Sequence, residues 1–180
     1  MIAVGAAALA WLGTSLVVSS DGRRGLAAGT AIVTLGMAIL ALESSGIVAA
    51  SAIAIGGGVA AARRLASGAV GWDILPPGST PRLVLCIAAA ILAFWVAAGV
   101  ASGPGAPLRF SVMLVIGLAG ARVLASGDTP VLLTAAALLA LAVGLGAGLS
   151  LDPTTLWPYV AGGLVAAVVV WLPPRSVRAA

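Results

Sequence analysis

The sequence contains no histidine and no lysine, and its only cysteine is Cys86. Without histidine the chain cannot itself supply an imidazole ligand to haem, a His/Cys zinc site or a Ser–His–Asp catalytic unit. One cysteine cannot form a disulfide within the chain. The five carboxylates lie near predicted loops with no spacing that pairs them. We therefore expect no enzyme activity and no cofactor.

Charged residues are also scarce: 8% of the 180 residues are charged and 62% are hydrophobic. Soluble domains carry about 25% charged residues and about 45–50% apolar ones. A water-soluble fold of this length could not bury so much apolar surface. The composition therefore predicts an all-α, polytopic transmembrane bundle whose main partner is the lipid bilayer.

Apolar segments alternate with short stretches rich in Gly, Pro, Ser and Asp, where helices end. About 20 apolar residues cross a bilayer as a helix, and seven segments approach that length. We therefore predict a single membrane domain over residues 1–180. Its spans are approximately residues 2–19, 25–42, 47–62, 83–100, 110–125, 131–149 and 157–172.

The nine basic residues are all arginine, and seven spans would divide them eight to one. Arginine excess marks the cytoplasmic side, so the N-terminus is predicted outside and the C-terminus in the cytoplasm. The charge is spread over loops, so no nucleic-acid partner is expected. Exclusive use of arginine with abundant alanine suggests a GC-rich bacterial genome, hence a bacterial inner membrane. Arg109 is alone on one side; the other side holds Arg23, Arg24, Arg63, Arg64, Arg82, Arg122, Arg175 and Arg178.

One short sequence occurs twice, as ARRLASG at residues 62–68 and ARVLASG at residues 121–127. Thr-Pro pairs at residues 80–81 and 129–130 follow these two copies and are typical of helix starts. We interpret the repeat as one span followed by three tandem hairpins. Chance similarity within Ala/Leu/Gly/Val-rich sequence is the alternative. In either case the arginines would lie in last turns and reach lipid phosphates.

Two charged residues are candidate functional groups on the predicted outer side. Glu43 lies near the end of an apolar span, where a carboxylate can bind a proton or a cation. Arg109 opens the fifth span and could bind a phosphate, a partner carboxylate or Glu43. The simpler interpretation is an interfacial helix end for Glu43 and an arginine reaching the interface for Arg109.

The longest predicted loop contains a candidate partner-docking element, formed by Trp72, Asp73, Ile74 and Leu75. Trp favours membrane interfaces, so a linker lying on the headgroups is the alternative. Hydroxyl groups within the spans can bond their own helix backbone, and the glycine pairs can allow close packing of helices.

No motif settles the function. Small size, few charges and many small residues favour a non-catalytic accessory or structural subunit that packs against other membrane subunits of a larger complex. The alternative is a small transporter or channel for a neutral or apolar solute, as a homo-oligomer or alone. Transport usually requires polar groups near mid-membrane, and none of the charged residues is predicted there.

Overall fold

The computed structural model describes residues 1–74, 80–100, 103, 105–151 and 155–173, with side chains at all of these except 82, 85, 86, 89, 93 and 100. These residues form seven α-helices and no strand, as the all-α prediction required. The helices are α1 (Ile2–Ser19), α2 (Arg23–Ser45), α3 (Ile47–Ala66), α4 (Thr80–Val100), α5 (Ala106–Ala125), α6 (Thr129–Leu149) and α7 (Trp157–Val169).

The helix boundaries follow the local signals in the sequence. Helices α4 and α6 begin at Thr80 and Thr129, each with proline in the first turn, and Ser67 and Ser126 follow the last residues of α3 and α5. Several helices extend beyond the predicted spans, by up to four residues, and in α2, α3, α4 and α5 the added residues include charged ones. Helix α7 is shorter than predicted and ends in turn residues 170–172.

Five helices, α1, α2, α3, α5 and α6, are long and apolar enough to cross a membrane. Helix α4 has 21 residues, of which residues 90–99 are identified as an apolar stretch, and α7 has 13 residues. The described chain is thus a bundle of several long apolar helices, consistent with a multi-pass membrane protein.

Several pairs of helices that follow one another in the chain pack together, including α2 with α3, α4 with α5 and α6 with α7. Helix α1 packs on α2 and α5, while α3 contacts α7 and α5 contacts α6, which closes a ring of six helices. Helices α2 and α6 are the most buried. Helix α4 packs mainly on α5, and its Ile91, Phe94 and Trp95 are more than half exposed.

Glycine allows helices α3 and α7 to touch backbone to backbone. A Cβ added to Gly56 would overlap the backbone of Gly163, and one added to Gly163 would overlap the carbonyl oxygen of Ala52. Neighbouring Gly58 faces open space. The close-packing interpretation of the glycines is therefore correct at Gly56, and small residues replace large side chains at this contact.

Candidate functional site

The described arginines, with one exception, lie at one end of the bundle, which we call the arginine end. It comprises the turn between α1 and α2, residues 67–74, and the last turns of α3, α5 and α7. The opposite end, called the tyrosine end, contains the last turns of α2 and α6 and the first turns of α5 and α7. Arg109 lies there, at the start of α5.

Residues 69–74, which we call the docking segment, are fixed to the α1–α2 turn by backbone hydrogen bonds. The N–H groups of Asp21, Arg23 and Arg24 donate to the carbonyl oxygens of Asp73, Ala69 and Gly71 at 3.0, 2.8 and 3.1 Å, respectively. Ser20 and Ile74 form an antiparallel bridge. The segment thereby supplies acceptors for first-turn N–H groups of α2 that have no partner within the helix.

Small residues allow the docking segment to lie directly on the turn. A Cβ added to Gly22 would overlap the carbonyl group of Gly71. Gly71 itself has φ +125°, and Asp73 has φ +36°, a region that residues other than glycine, asparagine and aspartate rarely adopt. The backbone of the segment is therefore specified by its own residues as well as by its hydrogen bonds.

The side chains of the docking segment point outward while its backbone is held. Val70, Trp72 and Ile74 are 72%, 49% and 52% exposed. Asp73 is exposed beside them. The structure thus brings three of the four predicted docking residues together on one surface, and the fourth, Leu75, lies outside the described residues.

Arg122, in the last turn of α5, is fully buried beneath the α1–α2 turn. Its Nη2 donates to the carbonyl oxygen of Ser20 at 2.9 Å and to the carboxylate of Asp21. Within the described part of the chain, Arg122 Nε and Nη1 and the buried Ser20 hydroxyl have no hydrogen-bond partner. Sequence reasoning missed this pair, because Asp21 and Arg122 are about a hundred residues apart in the chain.

The two arginines at the end of α3 also contact protein. Arg64 is buried and donates from Nη2 to the carbonyl oxygen of Val170 at 3.2 Å, which links α3 to the end of α7. The guanidinium carbon of Arg63 lies 4.6 Å from the ring centre of Trp171. The prediction that these last-turn arginines reach lipid phosphates is wrong for Arg64 and Arg122, because both are directed into the bundle.

The repeated sequence is used differently in its two copies. Arg122 aligns with Arg63, yet the buried arginine of the first copy is Arg64, one position later. The similarity of sequence thus does not extend to equivalent arginine contacts.

Glu43 and Arg109 both lie at the tyrosine end. Glu43 is exposed, and with Ser44, Gly105 and Leu108 it lines a cavity of about 290 Å³ where α2 ends and α5 begins. Arg109 is half-buried, and a Cβ placed on Gly105 would lie 3.6 Å from its Nη1. The structure therefore brings both candidates to one region of the bundle.

A neutral contact joins three helices at the same end. The hydroxyl of Tyr159, in the first turn of α7, shares a 2.6 Å hydrogen bond with Ser45 at the end of α2. The Tyr159 ring is buried, and a Cβ on Gly148 of α6 would overlap it. The sequence does not reveal this contact, because a tyrosine near the start of an apolar span is also typical of the membrane interface.

Hydroxyl groups inside the bundle are satisfied locally, as predicted. Five buried hydroxyls each donate to the carbonyl oxygen four residues earlier on their own helix, at 2.7–2.8 Å. No group of three residues that could hold a metal ion occurs in the described part of the chain. The five hydroxyls are those of Thr14, Thr30, Thr34, Ser111 and Thr134.

An open apolar cavity of about 620 Å³ lies between α1, α4 and α5. Trp11, Phe94 and Phe110 line it, and the two phenylalanine rings meet edge to face at 5.8 Å. The described residues that line it are apolar or aromatic, so they can pack against an apolar surface but provide no charged side chain.

Comparison of the chain with protein-family models, with curated proteins and with solved structures finds no match.

Proposed function

We propose that this chain is a non-catalytic integral membrane protein of the bacterial inner membrane that serves as an accessory or structural subunit of a larger membrane complex. The docking segment carries this proposal. Its backbone is held in place by the α1–α2 turn, while Val70, Trp72 and Ile74 remain exposed. We propose that these side chains contact a partner subunit.

A fixed backbone distinguishes a docking element from a linker. A linker lying on headgroups needs no defined conformation. Binding to a partner, in contrast, is favoured when the segment is already ordered in the free chain, because less conformational entropy is lost on binding. Exposed aromatic side chains on such a surface are the residue type most often found at the centres of protein interfaces.

The proposed topology has seven crossings, with the arginine end in the cytoplasm. The collection of Arg23, Arg24, Arg63, Arg64 and Arg122 at one end supports this orientation. At 1.5 Å per residue, α4 is about 31 Å long and α7 about 20 Å, so we propose that α7 crosses together with the turn that follows it.

The polar groups inside the bundle favour a structural role over transport. Five buried hydroxyls donate within their own helices, so these groups need no solute and no second helix as a hydrogen-bond acceptor. Catalysis would require converging acids, bases or a metal site. The carboxylates of Asp21, Glu43 and Asp73 lie at helix ends or in the docking segment, and Asp21 is already paired with Arg122.

The test is purification of the tagged full-length protein from its native membrane in mild detergent, with mass spectrometry of the associated chains. We expect stoichiometric partner subunits. The double variant Trp72→Ala/Ile74→Ala should retain them at least about tenfold less well, as truncation of central interface residues does.

Trp157→Ala is the matched control, because Trp157 is 64% exposed but lies at the tyrosine end. It should leave the associated chains unchanged. A monomer or homo-oligomer that carries no other chain would contradict the proposal and favour transport of a neutral or apolar solute, to be tested by flux into proteoliposomes.

A further inference from the structure

We infer that Arg122 is a positioning residue for the docking segment, acting through the α1–α2 turn. This inference rests on the proposed function, because it assigns a role to Arg122 in presenting the surface that binds a partner. Arg122 itself is fully buried and does not belong to that surface.

A continuous set of contacts connects Arg122 to the docking segment. Its guanidinium binds the Ser20 carbonyl oxygen and the Asp21 carboxylate, so it holds two consecutive residues of the turn. Asp21 then donates its N–H to Asp73, and Ser20 is bridged to Ile74. The two bonds from Arg122 fix residues 20 and 21 of the turn. The backbone hydrogen bonds between the turn and the docking segment then fix the position of the segment.

The chemistry of residue 122 supports positioning rather than simple packing. Burying Arg122 leaves its Nε and Nη1 without partners among the residues that the structure describes, an arrangement that an apolar side chain of similar size would avoid. Buried ion pairs often contribute little net stability, and their best-attested advantage is selection of one arrangement over others. Here the selected arrangement is the orientation of residues 20 and 21.

Arg64 provides the matched control. It is also buried and also donates to a backbone carbonyl oxygen, but its acceptor is Val170 at the end of α7. Replacement of Arg64 by methionine removes the same kind of contact at the same end of the bundle without touching the turn. A general loss of stability would therefore affect both variants, whereas loss of positioning would affect only the Arg122 variant.

The first measurement is amide hydrogen exchange of the detergent-purified full chain, read on the N–H groups of Asp21, Arg23 and Arg24. These groups donate to the docking segment. In Arg122→Met their exchange should accelerate roughly ten- to hundredfold, as expected for loss of a charge-assisted hydrogen bond. Arg64→Met should change it less than about twofold. Equal acceleration in both variants, or none in either, would overturn the inference.

Arg122→Lys keeps the inference testable if the methionine variant does not fold. Lysine retains the charge, but a hydrated ammonium on a flexible stem replaces the rigid guanidinium whose Nη2 donates to both acceptors. We therefore expect acceleration smaller than in Arg122→Met and larger than in Arg64→Met. An exchange rate in Arg122→Lys equal to that of the wild type would mean that a positive charge alone is sufficient. It would refute the inference that the guanidinium positions the turn by binding Ser20 and Asp21 together.

The second measurement is partner retention. Arg122→Met should lose associated subunits although residues 69–74 are unchanged, and Arg64→Met should keep them. If the wild type retains no other chain, the proposed function fails while the exchange result still decides the positioning role. If the wild type retains partners but exchange is unaffected in Arg122→Met, the positioning role fails alone.

Discussion

The two ends of the bundle join helices by opposite means. At the arginine end, Arg122 and Arg64 are buried and reach across to other elements, one to an ion pair and both to carbonyl oxygens. At the tyrosine end, a neutral hydroxyl pair and a glycine contact join α2, α6 and α7, while Glu43 stays exposed.

This difference shows what each contact holds. At the arginine end, the long side chain of Arg122 fixes a non-helical segment, the α1–α2 turn, on which the docking segment lies. The Tyr159 contact instead joins the ends of helices: it links α7 to α2, and both of these helices contact α6. A buried charge is costly when its partner is removed, whereas a neutral hydrogen bond contributes modestly. The two ends should therefore respond very differently to substitution.

Asp21→Ala should have the largest effect, because it leaves Arg122 buried without its carboxylate. We expect the free energy of unfolding to fall by about 3–5 kcal/mol. The measurement is denaturant unfolding in mixed micelles, followed by circular dichroism. Asp73→Asn, at an exposed carboxylate of the docking segment, is the control and should change stability by less than about 0.5 kcal/mol. Similar losses in both variants would remove the distinction between buried and exposed carboxylates.

Gly148→Ala should have the second largest effect, at the tyrosine end. The added Cβ would overlap the Tyr159 ring, so we expect a loss of about 1–3 kcal/mol by the same assay. Gly120→Ala on α5 faces open space and should instead gain about 0.5–1 kcal/mol from higher helix propensity. The opposite signs make the pair informative, and a loss in both variants would contradict the steric argument.

Tyr159→Phe should cost about 0.5–1.5 kcal/mol, because it removes one neutral hydrogen bond and keeps the ring that fills the space beside Gly148. Ser45→Ala should cost a similar amount. The double variant should cost less than the sum of the two, since both single variants remove the same bond. Additive losses would show that the two hydroxyls do not stabilise the tyrosine end through each other.

Glu43→Gln should have the smallest effect, less than about 0.5 kcal/mol, because the carboxylate is exposed. Thermal unfolding of wild type and variant in the same detergent measures it. A loss above 1 kcal/mol would mean that the tyrosine end also depends on charge, and the contrast between the two ends would no longer hold.

Local signals predicted most of the helices, because proline, glycine and serine act within a few residues of where they stand. Thr80 and Thr129 begin helices, and the buried hydroxyls bond their own backbones as expected. The arrangement of helices could not be predicted in the same way. Helices α4 and α6 are both almost uniformly apolar, so neither shows in its sequence that α6 is central and α4 peripheral.

The candidate site was predicted in part. Trp72, Asp73, Ile74 and Leu75 were predicted as a candidate docking element because the longest predicted loop places aromatic, charged and apolar residues side by side. Their attachment to the α1–α2 turn was not predicted, because it is made by backbone N–H and carbonyl groups, which every type of side chain leaves unchanged. Burial of Arg122 and Arg64 was also not predicted. An arginine at the end of an apolar helix can bind lipid phosphates or protein carbonyl oxygens, and the sequence does not distinguish the two.

The backbone contact between Gly56 and Gly163 has a consequence for the order of synthesis. Roughly a hundred residues separate the two glycines. At about 5–20 residues per second, α7 emerges some 5–20 s after the part of α3 that receives it. During that interval the small-residue face of α3 is covered by lipid or by another chain. The contact between Gly56 and Gly163 can therefore form only after nearly all of the chain has been synthesised.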